Sequence, residues 1–135
     1  MDIVERGEIL YKKCYIDDDV NNLDECIVIL LVTEPGVCGK YHCNPANEPD
    51  TPSVFYTNEN LDKKCRVREA RVVAIQDLKT KEFLDKAFSY GGGYRFIYNV
   101  GATVKPFYGF EEGDFACGGG IHGFRDRESA EAYEL

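Results

Sequence analysis

The stretch that most constrains this chain is CIVILLV at residues 26–32. Seven consecutive apolar residues are too few for a buried helix of ordinary length, and the β-branched Ile27, Val28, Ile29 and Val32 favour extended backbone. A strand that is apolar on both faces must be covered on both faces. The sequence therefore predicts a central strand with cover above and below. The 135 residues make one domain, long enough to bury a core without metal or disulfide staples.

The neighbouring segments read as further strands. GEILYKKCYI at 7–16 contains two interleaved sets, Ile9, Tyr11, Lys13, Tyr15 and Leu10, Lys12, Cys14, Ile16, which alternate loosely enough to suggest partial cover on both faces. DDDVNNLDE at 17–25 is a polar turn that lacks the spacing of a calcium loop. Residues 67–75 carry Val72, Val73 and Ile75 and predict a strand. In TKEFLDKAFSY at 80–90, Phe83, Leu84, Ala87 and Phe88 give a short amphipathic helix pattern, with an alternating strand as the other reading. Three glycines at 91–93 end it.

Residues 94–100 predict a strand, which Gly101 breaks and residues 102–106 continue. An acidic turn at 108–114 follows, and then a strand from 115–117 through the glycines to Phe124. Asp126 stands as N-cap of a closing helix, with Glu128 and Ser129 in its first turn. The expected fold class is α+β. A mainly antiparallel β-sheet forms a partly open barrel or sandwich, with one or two short helices including a C-terminal one. Residues 1–135 form a single domain, with a proline-rich irregular insertion at about 33–60 that holds four of the five prolines.

Charge narrows the partners. With 24 acidic and 16 basic residues the chain carries −8, which argues against bulk nucleic acid. No apolar run reaches membrane-spanning length, and the start, MDIVERGEIL, is unlike a secretory leader. The expected setting is cytoplasmic, and the six cysteines are expected to be free, mostly buried thiols. Cys38, His42, Cys43 and Cys65 fit a zinc site poorly because no second closely spaced pair completes it. Neither metal nor cofactor is expected.

Two places stand out chemically. Lys63, Lys64, Arg66, Arg68 and Arg71 cluster in an acidic chain, either as a solvated strand edge or as a face for phosphate or carboxylate. His122 follows Gly118, Gly119, Gly120 and Ile121, where small residues expose the backbone. Cys117 lies about 16 Å from His122 if the segment is extended, so only a bulge or turn at the glycines would bring the two together as nucleophile and base. Cys65 is the better non-local companion for His122. No G-x-S-x-G, P-loop, H-E-x-x-H or paired CxxC is present.

KKCRVREARVVAI, FIYNVGATVKPF and CGGGIHGFRDRESAEAY, in that order, resemble an uncharacterised small domain of phage, giant-virus and bacterial proteins that often lies downstream of pentapeptide repeats. The matching positions are Lys64, Cys65, Arg66, Ala70, Tyr98, Val100, Gly101, Cys117, Gly120, Ile121, His122, Phe124, Arg127, Glu128, Ala130 and Tyr133. Gly123 departs from the pattern, where Phe is usual, and 38–60 departs from a short connection. The resemblance implies a fold and a viral or phage setting. It implies no activity.

The first expectation for function is a non-enzymatic binding module in host–virus conflict. It captures a small anionic, nucleotide-like ligand or a host protein, through Lys64, Arg66, Arg68, Arg71, Tyr94, Arg95, Tyr98, His122 and Arg125. A Cys/His-dependent enzyme acting on a nucleotide or glycosidic bond is the second, and a structural or homo-oligomerising domain the third.

Overall fold

The computed structural model describes residues 2–19, 21–39, 64–91, 94–113, 118–133 and 135. Among the described residues, eight strands and one helix run in chain order. They are β1 Asp2–Val4, β2 Ile9–Tyr15, β3 Glu25–Cys38, β4 Lys64–Asp77, β5 Lys86–Gly91, β6 Tyr94–Asn99, β7 Thr103–Val104, β8 Ile121–Phe124 and α1 Arg127–Ala132. The sheet is antiparallel in the order β1-β3-β4-β8-β2-β5-β6, with β7 on β4. Because β2 also pairs with β3, the strands β3, β4, β8 and β2 return on themselves as a partly closed ring. Only Tyr11↔Phe124 joins β2 to β8, so that seam is its weakest.

The 26–32 run is the centre of this ring, as its composition demands. Cys26, Val28, Leu30 and Val32 point into the main core with Leu10, Cys14, Val67, Val72 and Ile75. Ile27 points outward, where Phe124 at the end of β8 and Ala130 of the closing helix cover it. Asp126 accepts from the Glu128 N–H at 2.9 Å and caps the helix that provides this second cover. Both faces of the strand are thus buried by different layers.

Three expectations change. The segment at 80–90 is not helical: Asp77 accepts from the N–H groups of Lys79 and Thr80, which folds a tight turn and returns the chain as β5. Those two N–H groups, Thr80 first, hold the Asp77 carboxyl below the usual range. The irregular insertion does not begin at 33, since β3 continues through Pro35 and Gly36 to Cys38. Residues 40–60 of it lie outside the described residues. Finally, Cys38 and Cys65 are register partners joined by a disulfide, while Cys14 and Cys26 are the free, buried thiols expected.

Gly36 shows how closely β3 and β4 approach. A Cβ there would stand 2.0 Å from the Arg66 carbonyl oxygen and 2.5 Å from Val67 Cα, both backbone atoms that cannot step aside. Register shifts at Ile29/Leu30 and Val32/Glu34 bend the same strand pair.

Candidate functional site

A cavity of about 510 Å³ opens where β2, the start of β4, the β5–β6 hairpin and residues 118–122 converge. Lys12, Lys64 and His122 are its charged or titratable nitrogens. Tyr15, Tyr90, Phe96, Tyr98, Phe107 and Tyr108 supply aromatic walls, and Tyr133 joins them from the end of α1. Although the chain is strongly acidic, no Asp or Glu lies among the described residues that line the cavity.

Strand parity places Lys12. Leu10 and Cys14 are fully buried on the inner face of β2, and Lys12 stands between them at the same parity. Its ammonium is thereby carried toward the interior rather than to solvent. Among the described residues no hydrogen bond or ion pair holds it. Burial pushes its pKa below the ordinary lysine value and Lys64 adds to the effect, while Cys14 and Tyr133 oppose it.

Lys64 is the first residue of β4, and its Nζ donates to the Tyr133 hydroxyl at 3.1 Å and lies 4.8 Å from that ring's centre. Lys13 donates to the Tyr133 carbonyl at 3.1 Å, so two strands hold the end of α1 at the cavity wall. His122 has its Nε2 buried without a partner among the described residues. Burial lowers its pKa well below the ordinary histidine value, Lys12, Lys64 and Arg66 lower it further, and a backbone hydrogen bond with Gly118 opposes them.

The aromatic side is layered. Phe96 and Tyr98 lie 4.9 Å apart and pack toward the core, whereas Phe107 and Tyr108, 5.0 Å apart edge to face, are 66% and 78% exposed. A planar ring entering here meets a fixed inner pair and an exposed outer one.

Arg66 builds the opposite wall rather than facing a ligand. It is fully buried, and its guanidinium donates to the carbonyls of Glu111 at 2.6 Å, Gly119 at 2.9 Å and Gly113 at 2.9 Å. Gly119 must remain without a side chain, since a Cβ would stand 2.4 Å from the Gly109 carbonyl oxygen. Gly123, the departure from the expected Phe, is enforced similarly: its Cβ would stand 2.9 Å from Leu10 Cβ across the β2–β8 seam.

Of the residues expected from sequence, Lys64, Tyr98 and His122 meet in the cavity. The arginines do not. Arg68 pairs with Glu112, donates to the Pro35 carbonyl and lies 4.2 Å over Phe110. Arg95 pairs with Asp18. Arg125 pairs with Asp2 at 2.8 Å and Glu8 at 2.9 Å, which fastens the chain's start to the end of β8. Arg71 is exposed on β4, outside the cavity lining, and the Tyr94 side chain lies outside the described residues. Cys65 is bound to Cys38 and offers His122 no thiolate. Cys117, His42 and Cys43 lie outside the described residues.

Sequence reasoning missed Lys12, Tyr15, Phe96, Phe107 and Tyr108. For Lys12 a signal existed: a lysine between Leu10 and Cys14 at strand parity is a charge directed inward.

Residues 2–130 match the profile of a family of unknown function, DUF5758. The chain belongs to that family. No curated protein and no solved structure matches it. Among the described residues no helix of this DUF5758 member is long and apolar enough to cross a membrane. Its cavity therefore has to be read from its own residues.

Proposed function

We propose that this chain is a non-enzymatic binding module that captures a small anion carrying a planar ring, a nucleotide-like ligand. The observation that supports it is the segregation of charge. In a chain of net −8, a cavity presents Lys12 and Lys64 and, among its described lining residues, no Asp or Glu side chain. An inward-directed, partly buried ammonium beside a second ammonium is a costly arrangement in the empty protein, and an anion relieves it. The aromatic walls add stacking, and the volume lies within the range of small-molecule sites.

At about −0.3 kcal/mol per heavy atom, a ligand the size of a nucleoside monophosphate reaches a Kd of about 10 µM. Isothermal titration calorimetry with nucleoside monophosphates tests the reading. Micromolar binding that weakens with added salt supports it. Absence of heat and of thermal stabilisation at millimolar ligand refutes it.

The setting that accompanies this proposal is the cytoplasm of an infected host, with the chain of viral or phage origin, as the sequence resemblance implies. In such a reducing compartment the Cys38–Cys65 bridge opens to the thiols expected from the sequence.

A further inference from the structure

His122 Nε2 is a buried side-chain nitrogen with no hydrogen-bond partner among the described residues, in a cavity whose walls combine aromatic rings, glycines and two lysines. Buried polar atoms are almost always satisfied, and an exception signals a group that something else completes. The hydrogen bond with the Gly118 backbone must fall on the other ring nitrogen, because Nε2 has none. That contact favours the protonated state of the ring, as a carbonyl accepting from Nδ1–H does. With the Nδ1 proton so engaged, the neutral ring presents a bare lone pair at Nε2. The groups facing the ring, Lys12 on β2 with Lys64 and Arg66 on β4, are all cationic and keep it neutral.

We infer that His122 Nε2 accepts a hydrogen bond from the ligand, so that the cavity selects an anion that is also a donor. Nucleoside monophosphates meet this description through hydroxyl and N–H groups set away from the phosphate, whereas a dianionic aryl phosphate carries no donor and inorganic phosphate has only its own P–OH and no ring. The phosphate answers Lys12 and Lys64, the base stacks on the aromatic walls, and a sugar hydroxyl or base N–H reaches Nε2. This inference rests on the capture reading above and sharpens it from charge and shape to a specific polar contact. A site with a buried polar group left unsatisfied discriminates strongly against the analogue that lacks the matching group.

The test is calorimetry on the full chain with inorganic phosphate, phenyl phosphate and adenosine 5′-monophosphate, for the wild type and His122→Phe. The wild type is expected to bind adenosine monophosphate at least about tenfold more tightly than phenyl phosphate, and the variant to reduce that advantage to about twofold. Equal binding of the two by the wild type, or an undiminished advantage in the variant, overturns the inference and leaves anion capture standing. Binding of none of the three refutes capture and the inference together. If His122→Phe does not fold, the wild type is titrated with N6,N6-dimethyl and 2′,3′-dideoxy analogues of the nucleotide. Tenfold weaker binding of either supports the contact. Full-strength binding of both overturns it.

Discussion

Arg66 Nη1 donates to the Gly119 carbonyl at 2.9 Å, tying the second strand of the ring's tightest pair to the glycine wall of the cavity. The same nitrogen reaches the Glu111 carbonyl at 2.6 Å, so one buried side chain fixes both sides of that wall. Replacing it by a non-donor takes this partner from the Glu111 and Gly113 carbonyls and leaves Gly119, the one of the three that lines the cavity, with the Glu111 N–H alone. Arg66→Met is expected to cost about 3–5 kcal/mol, since hydrogen bonds from a charged donor contribute about 1.5–3 kcal/mol each and are not fully additive. Urea unfolding measures it. A wild-type midpoint would show that the guanidinium does not organise this wall.

Lys12→Met should separate binding from stability. Removing an inward ammonium that no partner holds among the described residues relieves its desolvation and its repulsion with Lys64. The empty protein is expected to gain about 1 kcal/mol, as replacing buried charge by an apolar chain of similar length often does. Affinity for adenosine monophosphate is expected to fall about tenfold, the loss of a charge-assisted contact. A variant that loses stability and keeps its affinity would contradict the assignment of Lys12 to the ligand.

Gly119→Ala alters the cavity without removing any functional group. The added Cβ meets backbone at 2.4 Å, so residues 109 and 119 must separate. Far-ultraviolet circular dichroism is expected to stay that of the wild type while nucleotide affinity drops at least about tenfold. Unchanged affinity would place the ligand away from the 118–120 wall.

The pH dependences that His122 and Lys12 contribute to stability share one sign. His122 titrates well below 6.5 in the folded chain and Lys12 below 10.5. Between each folded value and its ordinary value the unfolded chain binds more protons, so stability rises with pH. For His122 the loss begins as pH falls through about 6.5 and continues to its lower folded value. Urea midpoints at pH 7.5 and pH 5.5 are expected to differ more for the wild type than for His122→Phe. Equal differences would mean that His122 protonates as freely folded as unfolded.

The cysteines should divide into two chemical classes. Cys38–Cys65 closes a loop of sequence separation 27, and its reduction is expected to remove about 2–4 kcal/mol of stability. Cys14 and Cys26 are fully buried; burial pushes the Cys14 thiol up to about 12 and the Cys26 thiol higher still. Iodoacetamide on the folded protein, mapped by mass spectrometry, is expected to leave both unmodified. Labelling of Cys14 under native conditions, or a thermal midpoint indifferent to reductant, would reject this division.

The sequence by itself determined what depends on neighbours within a few residues. The apolar run at 26–32 required a strand covered on both faces, Asp126 capped its helix, and the parity of Leu10, Lys12 and Cys14 already directed a charge inward. Tertiary structure decided what depends on partners far along the chain. At 80–90 the apolar spacing suits either a helix face or a strand, and the bond from Leu84 N–H to the Ile75 carbonyl selects the strand. Arg66, Arg68 and Arg125 look alike as basic residues, yet carbonyls and carboxylates more than thirty residues distant in sequence consume them. Cys38 finds Cys65 only because β3 and β4 align them in register. Periodicity and capping act over one turn or a few residues, whereas strand register and cavity walls arise only when distant segments meet. For that reason His122 was visible as a candidate, but its unpartnered nitrogen was not.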